Sequence, residues 1–333
     1  MKLCQRLAAS LLLAALALSV RAEWHTDTQS IMGTRVSATL WHLDAEAGKA
    51  ALAAVMTEMR RLDAALSPYK TDSELYRLNQ TGAAGPVSIS AELQLLLERA
   101  LHYSRLSDGA FDISFASLGQ HFDYRNKRQP SPQQRAELLA AVDYRMIVLD
   151  RQQGSVSFKH PQLRIDLGGI AKGYAVDRAI ELLRARGIGH ATVSAGGDSR
   201  VLGDKRGRPW VVGVQNPRAE AKMSVLLPLI DLAVSTSGDY ERYFIDEQTG
   251  ERVHHILDPG SGQSASGVIS VSILGPRGLD TDPLSTTVFV LGLEKGMQLL
   301  QRLPGFDGVI VDADGQVHYS EGLLPSASTR PNS

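Results

Sequence analysis

The sequence predicts an α+β fold, with mixed and antiparallel sheets covered by packed helices, and three observations carry that expectation. Alternating apolar segments of strand length recur through the chain, and several follow one another with no helix between them. The long helical patterns stand apart instead of alternating regularly with strands, which argues against a doubly wound parallel sheet. No internal repeat is present, and 333 residues suffice for one large domain or two intimate ones.

Residues 1–22 read as a secretory signal peptide. Lys2 and Arg6 precede an apolar run at 7–20, and the small residue Ala22 stands at a suitable cleavage point. The run is too short for an ordinary membrane span. Cleavage after Ala22 and a periplasmic location are therefore expected, with an uncleaved inner-membrane anchor as the weaker alternative. The single cysteine, Cys4, lies ahead of the apolar run, where it cannot serve as a lipid-attachment site, and it leaves with the peptide. Without it, disulfides, thiolate zinc sites and cysteine nucleophiles are excluded. Residues 1–22 hold three of the 35 basic residues and none of the 36 acidic ones, so the remainder carries a formal charge of −4. That balance does not suit a nucleic-acid binder. The main body is expected over 23–325, followed by a frayed polar tail at 326–333.

Taken in order, 35–41 alternates as a strand, and 44–66, rich in alanine and leucine, reads as a long helix that "SPY" (67–69) breaks. A short strand at 87–90 leads to Ser90, which can cap a helix running to about residue 106. The polar stretch 124–135 reads as an exposed connection. Strands are expected at 145–149, 155–158 and 163–167, then a helix from near Ile170 to near Arg186. Further strands are read at 191–195, 210–214, 224–230, 232–236, 268–273 and 308–311, with a helix between the last two.

Chemistry concentrates in a few segments. In "LDTDPLSTTVFVLG" (279–292), Asp282 and Pro283 make a good helix start, because Asp accepts the orphan N–H groups of a first turn and Pro is tolerated there. Capping does not account for Thr286, four residues on and therefore on the same helix face. A carboxylate and a hydroxyl at an electropositive helix end can also hold a hard, oxygen-seeking cation. Asp280 does not share that face, so its loss is expected to matter much less. In "DLGGIAKGYAVD" (166–177), two glycines precede a helix carrying Lys172, which suits an anion as well as a plain tight turn. The Walker spacing is absent. "SAGGDSR" (194–200), "GVQNPR" (213–218), the hydroxyl-rich "STSGDYERYF" (235–244) and "HHILDPGSG" (254–262) are each weak alone. Asp112, in the apolar setting of "GAFDIS" (109–114), is either a hydrogen-bond hub or a ligand contact. Jointly these segments suit a large phosphorylated ligand with a divalent metal.

The same set of segments, with "MGT" (32–34) and "LSPYKTDSELYRLN" (66–79), resembles the ApbE family, the FAD:protein FMN transferases, from residue 31 to about Gly292. The resemblance implies an ApbE-like, T-fold-like architecture with the FAD site between two sub-domains. It implies a Mg²⁺-dependent enzyme that cleaves FAD, attaches FMN through its phosphate to a threonine or serine hydroxyl of a target protein, and releases AMP. By residue, it implies Asp282, Thr286 and the backbone carbonyl of Gly169 as metal ligands. Met32, Tyr69, Ala110, Phe111, Asp112, Asp166, Lys172 and Ile256 would line the FAD, and His255, with Asp282, would act in catalysis, His254 being its neighbouring rival. Implied acceptors are subunits of membrane redox complexes: Rnf, the Na⁺-translocating NADH:quinone reductase, or nitrous-oxide reductase regulators. Two departures stand out. Asp198 replaces a frequent Asn, and Pro283 replaces a frequent Ala. Rival functions are an FAD pyrophosphatase on the same fold and a periplasmic flavin-binding module without catalysis.

Overall fold

The structure is a computed structural model that describes residues 23–215, 218 and 223–324. The expected signal peptide at 1–22, the expected tail at 326–333 and part of "GVQNPR" lie outside the described residues. The N-terminal half opens with a hairpin, β1 (Glu23–Ile31) and β2 (Thr34–His42). Helix α1 (Ala45–Leu66) follows, with Asp44 accepting the Glu46 and Ala47 N–H groups as its N-cap. After it come α2 (Glu74–Thr81), β3 (Val87–Ser88), α3 (Ala91–Leu106), capped by Ser90 as expected, and the short α4 (Ala116–Gly119) and α5 (Pro132–Leu139). Strands β4 (Ile147–Asp150) and β5 (Ser155–Phe158) pair with β3 in a small sheet.

Helix α6 (Ala171–Ala185) begins the second half. It is followed by β6 (Ala191–Ala195), β7 (Asp198–Leu202), β8 (Trp210–Gln215), β9 (Met223–Leu229) and β10 (Ala233–Gly238). Then come β11 (Tyr243–Ile245), β12 (Arg252–His254), β13 (Val268–Gly275), α7 (Gly278–Gln301), β14 (Asp307–Asp312) and β15 (Val317–Tyr319). The main sheet has eight strands in the order β1-β2-β6-β7-β10-β13-β14-β15, every pair antiparallel.

One face of this sheet is covered by α1 over β1 and β2, α6 over β6 and β7, and α7 over β10 and β13. Leu40, Val55, Met59, Ala179, Val193, Val271 and Phe289 meet in that core, fully buried. The β8–β9 hairpin covers part of the other face through Trp210, Val214, Leu227 and Leu229, which pack with Val201, Val234 and Leu274. The α+β expectation holds, and so do the helices read at 44–66, 91–106 and 170–186.

Three readings change. Residues 163–167 alternate like a strand but lie outside any sheet. Asn79 supplies the hydrogen bonds a neighbouring strand would have made, donating to the Ile165 carbonyl and accepting its N–H, both at 2.8 Å. Strand β1 was not anticipated, because as an edge strand it alternates polar groups such as Thr26, Thr28 and Ser30 with only partly apolar partners. Finally, α7 starts at Gly278 with Arg277 as its N-cap, so Asp282 lies inside the helix and does not cap it.

Candidate active site

Asp282 is a cap after all, but of a different helix. Its Oδ2 accepts the N–H of Gly173, the third residue of α6, at 2.9 Å. Ile170, at the N-cap of α6, offers no side-chain hydrogen bond, so the donor is met from α7 instead. The favour is returned nearby, where Asp177 of α6 accepts the Gly278 and Leu279 N–H groups at the start of α7, both at 2.9 Å. This reciprocal capping requires the two helices to touch at their backbones. A Cβ on Gly173 would overlap the Gly278 carbonyl, and a Cβ on Gly278 would overlap the Gly173 carbonyl. Glycine at both positions is what the crossing demands.

A consequence follows for Gly169. In a regular helix the Gly173 N–H would bond to the carbonyl four residues back, that of Gly169. Asp282 takes that donor, and no backbone N–H among the described residues donates to the Gly169 carbonyl. Thr286 lies against the same spot, since a Cβ on Gly169 would stand 3.3 Å from its Oγ1. Hydroxyls fix that threonine: Ser237 of β10 meets Ser285 at 2.8 Å and Thr286 at 3.2 Å, and Ser235 meets Thr281 at 2.8 Å. The hydroxyl-rich segment thus zips β10 to α7.

The charges here do not balance. Lys172 Nζ lies 3.2 Å from Asp198 and 3.7 Å from Asp282, and donates to the Gly168 carbonyl at 2.7 Å. Burial opposes its charge, yet the two carboxylates overcome that and hold its pKa above the ordinary lysine value. One ammonium cannot satisfy both acids. Burial, and then the charge of Asp198, push Asp282 well above the usual carboxylate range. A further cation at Asp282 would relieve this. The oxygen-only set of Asp282 carboxylate, Thr286 hydroxyl and free Gly169 carbonyl fits a hard ion such as Mg²⁺.

The remaining predicted residues divide. Met32 forms the β1–β2 turn with Gly33, both at positive φ, and Gly33 faces Arg242, whose Nη2 would lie 3.4 Å from a Cβ there. Asp166 is half-buried, accepts the Gly168 N–H at 2.6 Å, and has its pKa raised by burial against the pull of Lys172 and Arg242. Tyr69, 76% exposed, is within reach of the Asp166 and Arg242 charges. The Phe111 ring backs Gly169, with Ala110 half-buried beside it, and Ile256 is buried next to His255. Asp112 is different. One of its oxygens takes the Ser114 N–H and hydroxyl, at 2.8 and 2.6 Å, and the other takes the Tyr144 N–H at 2.8 Å. Its carboxylate is the hub of a turn, so only its backbone remains to line a pocket.

The two histidines also separate. His254 is buried, with Nε2 against the Ala265 carbonyl at 2.9 Å and Nδ1 facing the Ile256 N–H at 3.3 Å, so both ring nitrogens serve the fold. His255 is half-buried, and its Nδ1 has no hydrogen-bond partner. Burial first, then the charges of Arg242, His254 and Lys172, hold its pKa down to about 3, not near neutrality.

Sequence reasoning singled out neither Arg242 nor Ser237. Both lie in "STSGDYERYF", where a hydroxyl run and an arginine after a strand were the available signal. No hydrogen bond or ion pair among the described residues engages the exposed Arg242 guanidinium.

Residues 32–310 match the ApbE family. This chain belongs to that family. It is 36% identical over 294 residues to the FAD:protein FMN transferase of Treponema pallidum, covering 83% of this chain and 80% of that one. It is 32% identical over 255 residues to the FAD:protein FMN transferase of Haemophilus influenzae, covering 73% of each. Among solved structures, the ApbE protein of Thermotoga maritima superposes with a TM-score of 0.83 at 34% identity, over 90% of this chain and 98% of that one. The flavinyl transferase ApbE of Pseudomonas stutzeri gives 0.78 at 28% identity, over 90% and 95%.

Proposed function

We propose that this chain is a Mg²⁺-dependent FAD:protein FMN transferase that moves FMN from FAD to a threonine or serine hydroxyl of an acceptor protein and releases AMP. The observation that carries the reading is the under-neutralised Asp198–Lys172–Asp282 cluster beside the free Gly169 carbonyl. Family membership supports the flavin chemistry, and the relatives' names supply the donor and the transferred group.

Asp282, Thr286 and the Gly169 carbonyl would hold the ion. A bound Mg²⁺ would offset the diphosphate charge and stabilise the AMP phosphate as it leaves. Lys172 and Arg242 add fixed positive charge, which attracts the diphosphate and lowers its repulsion of an incoming oxygen. With its pKa held down and its Nδ1 unpartnered, His255 is neutral and can accept a proton. The negative diphosphate opposes the cations that depress its pKa, and so raises it toward the range where a base is effective. The acceptor hydroxyl loses its proton to His255 as its oxygen bonds to the FMN phosphorus. The bond from that phosphorus to the bridging oxygen breaks, and the oxygen leaves with AMP.

A periplasmic location is supported by the signal-peptide pattern at 1–22, and acceptors of the membrane redox class by the family resemblance. The test is AMP release with FAD and Mg²⁺, with and without a threonine-bearing acceptor, alongside intact mass of the acceptor. We expect release to accelerate with acceptor, and the acceptor to gain one FMN less one water. Equal release with and without acceptor, with no acceptor gaining flavin, would replace this reading with the pyrophosphatase.

A further inference from the structure

The end of the main sheet remote from the flavin pocket carries a second surface. Strand β1 starts at Glu23 and ends in the Met32–Gly33 turn beside the pocket. Trp24 therefore lies at the far end, roughly 27 Å from the turn at about 3.4 Å per residue. Strand β7 likewise begins at Asp198 in the pocket and leads out to residues 203–209.

At that far end the chain gathers all three of its tryptophans, Trp24, Trp41 and Trp210. Trp24 packs edge-on against Trp41 and Trp210, with centroids 5.3 and 5.2 Å apart. Basic side chains lie over the rings. Lys205 Nζ is 5.9 Å from the Trp24 centroid and 5.5 Å from that of Trp210, and the Arg206 guanidinium is 4.7 Å from that of Trp41. Arg208 is exposed beside them, and the acid of this loop, Asp204, is taken by His190 at 3.0 Å.

Trp210 opens the β8–β9 hairpin, and the hairpin is apolar on both sides. Its inward pairs are Trp210 with Leu229 and Val212 with Leu227. Its outward pairs are Val211 with Pro228 and Gly213 with Leu226. Val211 is 61% exposed, Leu226 63%, and Ile230, just beyond, 50%. An antiparallel pair with one wet face ordinarily alternates apolar inward with polar outward. Here the described outward positions hold no polar side chain, and a basic, tryptophan-bearing rim borders them.

We infer that this surface seats on an anionic lipid bilayer. Lysine and arginine beside exposed aliphatic groups match anionic headgroups over acyl chains, and tryptophan favours that boundary. The place of the surface agrees: the apolar run at 7–20 joins the folded body at Glu23, one residue before Trp24. Before the expected cleavage after Ala22, that run brings Glu23 and Trp24 close to whatever bilayer it engages; after cleavage, contact rests on the surface itself. The inference does not depend on the chemistry assigned to the pocket.

Because Trp24 and Trp41 are half-buried at this surface and the buried Trp210 packs against Trp24, the chain's tryptophan fluorescence reports on it. The full chain is mixed with vesicles of acyl-brominated phosphatidylcholine, with and without phosphatidylglycerol. We expect quenching that requires phosphatidylglycerol and weakens with salt. Lys205→Glu with Arg206→Glu, and separately Val211→Asp with Leu226→Asp, should each weaken vesicle affinity on the order of tenfold or more. FMN transfer in lipid-free solution should be unchanged in both, which shows that they fold. Absence of quenching, or quenching identical in wild type and variants, overturns the inference, the second outcome assigning contact to the N-terminal run alone. So does a change in oligomeric state in the aspartate variant with unchanged quenching, which would make the hairpin a contact between copies of this chain.

Discussion

Asp280 and Asp282 stand two residues apart on α7, both almost inaccessible at 2% and 3%, yet their surroundings are opposite. Asp280 faces the α3 side, where Arg99 and Arg277 donate to its two oxygens at 2.5 and 2.8 Å and the Tyr103 hydroxyl adds a third bond at 3.3 Å. Asp282 faces α6 and β7, where, among the described residues, it shares one ion-pair partner, Lys172, with Asp198. One region over-supplies positive charge to one acid, and the other under-supplies it to two. A buried charge needs a partner. The first region has its partners in the chain, and so it is structure. The second does not, and a cation held at Asp282, as proposed above, would supply the missing charge.

The sharpest way to break this comparison is Asp282→Asn. The amide oxygen can still accept the Gly173 N–H, so the α6 cap survives and stability should change by no more than about 1 kcal/mol. The charge is gone, and Mg²⁺-dependent AMP release should fall by about 10³-fold or more, a loss of several kcal/mol of transition-state stabilisation. Retained turnover would remove the metal assignment. Asp280→Asn should do the converse, lowering unfolding stability by about 3 kcal/mol because two arginines lose their counter-charge. Turnover of the folded fraction should persist. Urea unfolding paired with steady-state rates on both variants reads both halves of the contrast.

The two histidines offer a smaller version of the same contrast. His255→Asn should slow transfer by about 10²-fold while FAD remains bound, as fluorescence titration and single-turnover rates would show. His254→Gln should act on stability, since both of its ring nitrogens serve the backbone. The weakest effect is in pH. His255 has a folded pKa of about 3, below its unfolded value of about 6.5. The unfolded chain therefore takes up the proton first. This contribution to stability is complete above pH ~6.5 and falls as pH drops toward the folded value, by up to about 1.4 kcal/mol per pH unit. Relative to His255→Asn, the wild type should lose stability faster between pH 6 and 4, in roughly that proportion; parallel curves would mean that His255 is not desolvated.

Much of the fold was legible because it rests on local signals. Ser90 announces its helix as a cap, and β13 reads as a strand from its β-branched Val268, Ile269, Val271 and Ile273. What was hidden depends on partners distant in sequence. Nothing near Ile165 indicates that Asn79 will occupy its backbone groups, and β1 conceals its period because its less exposed positions include the polar His25, Asp27 and Gln29. In the site, the face shared by Asp282 and Thr286 was visible from spacing alone. The helix that Asp282 caps, the carbonyl this frees at Gly169, and the exposed guanidinium of Arg242 could not be seen until α6 and α7 were brought together.

The most direct measurement is the position of the metal. Crystals soaked with FAD and Mn²⁺, a substitute for Mg²⁺ with usable anomalous scattering, should show a single strong anomalous peak in the pocket. It should contact Asp282, Thr286 and the Gly169 carbonyl, with no peak beside Asp280. A peak that avoids Asp282, or bound FAD with no metal there at all, would contradict the claim that the unmatched charge between α6 and α7 is a cation site.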